Sequence, residues 1–368
     1  MPLARAPLRR AYYLSVGLDS FDLEDDPHRA FMARAVANSE RHRATRLAHL
    51  EADRSQLSRA LAELGQIAQR FAADQVLLDR SFVRLPAPRA RPTPEADGGP
   101  SPARAQVEDR ATRPPCSRLI RRQSHALPLY LTLLCVAQAD FPPGTPVPPG
   151  GGRPYSAART GSYAVLMGLR DLNARNRSLR LDRAMRELHS AGLVELPSQG
   201  SRRRYANFEL LSDKGVNSRY RTPSPSRPGL LQVPLEFFTH GWHLVLTPTE
   251  IANLLMMMDM MQLGGASGDG KEAGATERDR WGSYGISTEV YETHRELAEF
   301  GLLRLHDRVP GRRLGKVNRT EFLDDDGLPM FLECFHFTLE PNAFGRNALE
   351  VVLKSLKATP GRPYLLNE

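Results

Sequence analysis

Residues Asn173 to Leu211 read NARNRSLRLDRAMRELHSAGLVELPSQGSRRRYANFELL, and the reading of this stretch decides the fold. Leu181, Met185 and Leu188 recur at the spacing of one helical face, with Ala184 and Ala191 beside them. Ser178 is the predicted N-cap of that helix and Gly192 its stop. Leu193 to Leu196 then read as a short strand and Pro197-Ser198-Gln199-Gly200 as a turn. Tyr205 to Leu211 return as a second strand, and Arg202, Arg203 and Arg204 occupy the tip between the two. The order is helix, strand, basic loop, strand.

The same order returns in the second half. SLRLDRAMRELHSAGLVEL from Ser178 aligns without a gap to STEVYETHRELAEFGLLRL from Ser287, with 7 identities in 19 positions. Ser178 meets Ser287, Arg186 meets Arg295 and Glu187 meets Glu296. Leu188 meets Leu297, Gly192 meets Gly301, Leu193 meets Leu302 and Leu196 meets Leu305. A cap, an apolar stripe, a glycine stop and a strand therefore recur in register. The outward positions differ: Arg177, Arg180 and Arg183 in the first copy stand where the second has Ile286, Glu289 and Glu292.

A helix followed by a hairpin with a basic tip resembles the recognition helix and wing of winged helix-turn-helix proteins. Bacterial regulators and plasmid replication initiators are among them. Two further predicted helices, Leu127 to Ala139 and Gly161 to Leu172, precede the first copy. The resemblance thus spans roughly Leu127 to Asp213, with a Pro/Gly loop from Asp140 to Pro154 longer than the family usually has. It implies a mainly α, α+β chain with small β-hairpins: two tandem winged-helix domains preceded by a long, candidate coiled-coil helix. It also implies double-stranded DNA as the partner. Arg175, Asn176, Arg177, Ser178, Arg180 and Arg183 would face the major groove, where arginine can bond guanine O6 and N7 in a bidentate manner. Arg202, Arg203 and Arg204 would meet phosphate or the minor groove. Acidic residues are repelled beside phosphates, so the second helix is expected to contact a protein. Its basic wing, Arg308, Arg312, Arg313, Lys316 and Arg319, is expected to hold phosphate.

The 368 residues favour two or three domains, and 41% apolar with 25% charged residues is an ordinary soluble composition. The net charge of +8 fits a nucleic-acid partner. Lysine occurs only at 214, 271, 316, 354 and 357, a bias that a GC-rich genome explains, so arginine clusters carry more weight than arginine numbers. Cys116, Cys135 and Cys334 lack CxxC spacing, which points to a reducing compartment. The longest apolar run, from Leu127, falls short of the ~18 residues of a membrane helix. Met1 to Arg10 lacks the apolar core of a signal peptide. A cytoplasmic, nucleoid-associated bacterial protein is expected.

Leu50, Leu57, Leu64, Phe71 and Leu78 repeat every seven residues, the signal of a coiled coil and of a homodimer. Arg54 and Gln75 at companion positions weaken that seam, and Gly65 weakens the helix. The expected division is a disordered N-terminus over 1–26, a long helix over 27–84 and a disordered Pro/Ala/Arg linker over 85–118. The first winged-helix domain follows over 119–217, a second linker over 218–229, and the second domain with a C-terminal helix over 230–360. Thr247 and Glu250 form a predicted capping box before a methionine-rich helix from Ile251 to Met261, whose methionines are read as core filling. Ser287 is the predicted cap of a helix to Phe300.

No GxSxG, P-loop or strand-linked GxGxxG is present, the histidines lack zinc spacing, and Asp324 to Gly327 read as an acidic turn. No enzyme activity, cofactor or metal is expected. Three functions fit: a sequence-specific transcription regulator, a plasmid or phage replication initiator at repeated sites, and a winged-helix protein-interaction scaffold.

Overall fold

The heptad segment is not one helix. In the computed structural model, α1 (Pro27–Ala52) and α2 (Arg54–Ala68) are separated at Asp53, and the chain then turns into strand β1 (Gln75–Asp79). The side chain of Asp79 accepts from the Ser81 amide and caps the short helix α3 (Arg80–Val83). The structure describes residues 27–72, 74–89, 112–120, 124–156, 160–169, 173–198, 200–201, 203–214, 217–264, 272–306 and 336–358. The expected helix over 27–84 is thus two helices and a strand.

Leu57, Leu64 and Leu78 are fully buried in the chain's own core, and Leu50 and Phe71 pack partly buried against it. The predicted dimer seam is therefore occupied by the protein itself.

The first unit begins with α4 (Pro115–Arg118) and α5 (Ala126–Asp140). Every residue of α5 from Ala126 to Ala137 is buried, as its apolar composition requires. A 3-10 turn at Pro149–Gly152 leads to α6 (Tyr163–Leu166), then α7 (Ala174–Ser190). Strands β2 (Val194–Glu195) and β3 (Glu209–Leu210) follow as an antiparallel pair, with Val194 opposite Leu210. In place of a further strand in the long Pro/Gly loop, a single bridge joins Pro146 to Arg221.

The described ends of both expected linkers are built into the structure. The Leu85 amide donates to the Ser283 carbonyl at 2.8 Å, and the Arg89 guanidinium lies 4.0 Å from the Trp281 ring centroid. Cys116, Ser117, Tyr220 and Thr222 are buried, and Arg227 pairs with Asp79.

Strand β4 (Leu230–Pro234) pairs antiparallel with β1, Val76 opposite Val233 and Leu78 opposite Leu231. Short helices α8 (Glu236–Thr239) and α9 (Trp242–Val245) precede α10 (Pro248–Gly264). The predicted capping box forms in both directions: the Thr247 amide donates to Glu250 Oε2 at 2.8 Å, and the Glu250 amide to Thr247 Oγ1 at 3.3 Å. Met256, Met257 and Met258 are buried in the core.

Strand β5 (Ala273–Gly274), α11 (Glu277–Gly282), α12 (Thr288–Tyr291) and α13 (His294–Glu299) come next, then β6 (Leu303–His306), β7 (His336–Leu339) and α14 (Ala348–Lys357). The three strands form an antiparallel sheet in the order β5-β7-β6, with Leu303 opposite Leu339.

Helix α2 packs on both units, against α6 on one side and α8 on the other. Two glycines with positive φ admit it. A Cβ on Gly168 (φ +57°) would lie 2.8 Å from Leu57 Cδ2, and one on Gly241 (φ +81°) 2.7 Å from Leu61 Cδ2. The architecture is mainly α with small antiparallel sheets, an α+β class.

Candidate nucleic-acid interface

The N-cap of helix α7 lies five residues before the predicted one. Asn173 is its N-cap, the side-chain oxygen accepting from the Asn176 amide at 2.7 Å. Ser178 is therefore a half-buried residue inside the helix, not its cap.

The earlier start extends the buried stripe by one turn, to Arg177, Leu181, Ala184, Met185 and Leu188. Arg177 stands four residues before Leu181, so it falls on the inner face and not the outer one. Its Nε donates to the Ser156 carbonyl at 3.3 Å. The aligned Ile286 is buried in the same way.

The exposed face carries Arg175, Asn176, Arg180, Arg183 and Arg186. Arg186 belongs to it although sequence reading passed it over. The stripe itself holds the signal, because Arg186 falls opposite Leu181 and Leu188 at about 100° per residue. Beneath this face, burial holds the His125 imidazole below its ordinary pKa; Arg180 and Arg183 add to that effect and Glu187 opposes it. Glu187 in turn accepts from Ser124 Oγ at 2.6 Å. The arginines of this face are exposed and present their positive charge outward.

The hairpin tip is more structured than an open loop. Residues predicted to begin the second strand, Tyr205 to Asn207, form a helical turn in which the Ala206 and Asn207 amides donate to the Arg203 carbonyl. Only Glu209 and Leu210 are strand. Arg203 is exposed with φ +60°, and it alone among the described non-glycine residues has a positive φ. Such strain persists where the surroundings impose it and tends to cluster at functional positions. Arg204 is half-buried, its guanidinium 5.8 Å from the Tyr205 ring centroid. Phe208 anchors the hairpin edge-to-face on Tyr163 at 6.0 Å. Arg202 lies outside the described residues.

The second unit presents a different surface. Ser287 caps α12 as predicted, accepting from the Val290 amide at 3.4 Å, but the predicted helix to Phe300 is broken between Tyr291 and His294. Glu289 is exposed, Glu292 half-buried, and Arg295 is buried where the first copy exposes Arg186. Gly192 and Gly301 both stop their helices with positive φ, 72° and 67°. Arg308, Arg312, Arg313, Lys316, Arg319 and the acidic turn at Asp324 to Gly327 lie outside the described residues.

Comparison with family models, curated proteins and solved structures finds no match to this chain. Among the described residues no helix is long and apolar enough to cross a membrane.

Proposed function

We propose that this chain is a sequence-specific double-stranded DNA-binding protein of winged-helix type, with α7 as the reading helix and the β2–β3 tip as its wing. One observation carries the reading. A helix buried along one side presents Arg175, Asn176, Arg180, Arg183 and Arg186 on the other, and a hairpin with a strained, exposed arginine follows it directly. The sheet order β5-β7-β6 behind α10 to α13 supports a second unit of the same plan. Its acidic, broken helix favours a protein contact over DNA.

In this reading the protein acts as a bacterial transcription regulator, without catalysis or cofactor. Replication initiation at repeated sites is the second reading, and the burial of Leu57, Leu64 and Leu78 favours it. With that seam inside the core, nothing in the heptad imposes a two-fold symmetric operator. Sequencing of genomic DNA captured by the full-length protein separates the two: inverted repeats near promoters support the regulator, direct repeats the initiator. The shared claim is tested by titrating salt against binding of the full-length protein to random-sequence duplex. Affinity is expected to fall steeply, with a logarithmic slope of about −0.9 per phosphate neutralised. A flat response contradicts it.

A further inference from the structure

Among the described residues the exposed large hydrophobic side chains are Leu179 and Leu263, and Leu179, at 49% exposure, is the more open. A single exposed leucine on a soluble protein is ordinary. The position of Leu179 is not. At about 100° per residue it points roughly 160° to 180° away from Leu181 and Leu188, the centre of the buried stripe of α7. Arg175, Arg183 and Arg186 fall within about 40° of it on the same wheel. It is the centre of the cationic face, where an amphipathic surface helix would carry a polar residue.

The chemistry of that face defines what an apolar group there can meet. Surrounding guanidiniums favour an anionic partner, and a duplex groove supplies phosphates on both sides with base edges between them. Among the groups a base pair shows in the major groove, the C5-methyl of thymine is apolar. We infer that Leu179 reads a thymine methyl, so that the recognised site contains thymine opposite the N-terminal half of α7, flanked by bases that the arginines can bond. The inference rests on the DNA-binding reading above and adds to it a base identity and the residue that selects it.

The test uses full-length protein and two random duplex libraries, one built with thymine and one with deoxyuridine, which lacks only the methyl. Wild-type protein is expected to enrich a motif with a fixed thymine from the first library, and to lose preference at that position in the second. On the selected duplex, replacing that thymine by deoxyuridine should weaken wild-type binding about four-fold, the worth of one buried methyl-sized group. Leu179→Ala should bind both duplexes alike, and should melt like the wild type because the side chain is exposed. Equal wild-type affinity for both duplexes, or discrimination that survives in Leu179→Ala, overturns the inference and leaves DNA binding standing. Failure of the wild type to retain either library in a salt-sensitive way defeats the DNA-binding reading itself and this inference with it.

Discussion

Asn253 of α10 donates its side-chain amide to the Tyr291 carbonyl at 3.0 Å and to Thr293 Oγ1 at 3.1 Å. His294 Nδ1 meets the same carbonyl at 2.7 Å. In a continuous helix that carbonyl would accept from the Arg295 amide, which bonds Glu292 instead. A side chain inserted into the ladder is a recognised cause of a helix break. It explains why the second copy is two short helices where the first is one long one. Asn253→Ala should destabilise the protein by about 1–3 kcal/mol, since buried groups lose their partner. Urea denaturation measures this; an unchanged midpoint would assign the break to another cause.

Arg46 and Glu250 join α1 to the start of α10 through two bonds of 2.8 and 2.9 Å, and Glu250 is fully buried while also closing the capping box. Removing one partner of a buried pair leaves a charge behind. Glu250→Ala should therefore cost about 3–5 kcal/mol, and the double variant Arg46→Met/Glu250→Gln less than the sum of its parts. Additive losses in denaturant melts would show that the two side chains act independently.

Two buried histidines should weaken the fold on mild acidification. Burial lowers His243 and His294 to about 3, so both are neutral in the folded protein and charge on unfolding below about 6.5. Their contribution is complete above about pH 6.5 and is lost as pH falls below it, by up to ~1.4 kcal/mol per histidine per pH unit. Asp213 acts in the opposite sense. Burial raises it to about 6, against the hydrogen bond from the Asp79 amide, so acidification toward pH 4 relieves a penalty. Asp182 and Asp259, also raised by burial, act in the sense of Asp213, and His125, lowered by burial, in the sense of the two histidines, so substitution isolates the histidine part. Between about pH 7.5 and 5, the melting temperature of His294→Gln should fall clearly less on acidification than that of the wild type, since one of the two opposing histidine contributions is gone. Parallel profiles in the wild type and His294→Gln would contradict a buried neutral His294.

Leu57 is a core residue and not a dimer contact, which changes what its substitution does. Leu57→Arg should unfold the protein, whereas in a dimer seam it would leave folded monomers. Gly168→Ala should cost about 1–3 kcal/mol through both positive φ and the clash with Leu57. Circular dichroism with light scattering distinguishes these outcomes; a folded Leu57→Arg monomer would refute the packing described.

Much of this was legible because each signal is local. The Thr247–Glu250 box, the glycine stops at 192 and 301 and the apolar run of α5 need only their neighbours. The heptad misled because a leucine repeat specifies an apolar stripe but not what covers it. Here α6, α8 and the Gly168 and Gly241 approaches cover it. Arg177 misled because the face of α7 was measured from the wrong cap. Once Asn173 starts the helix, the stripe itself places Arg177 inside and Arg186 outside. The break at Tyr291 was not legible at all, since it depends on Asn253 reaching across from 38 residues away in sequence.

Helix α7 has a buried face that holds the fold and an exposed face that we propose meets DNA, and Arg177 and Arg183 represent the two. The direct measurement is a pair of full-length variants, Arg177→Ala and Arg183→Ala, each melted and each titrated against the duplex selected by the wild type. Arg183→Ala is predicted to melt like the wild type, to lose about 1–3 kcal/mol of binding and to relax preference at one or two base pairs. Arg177→Ala is predicted to lower the melting temperature and, below it, to keep the wild-type base preference. Wild-type affinity in Arg183→Ala, or a loss of base preference in Arg177→Ala at full stability, would contradict the assignment of the outer face of α7 to DNA.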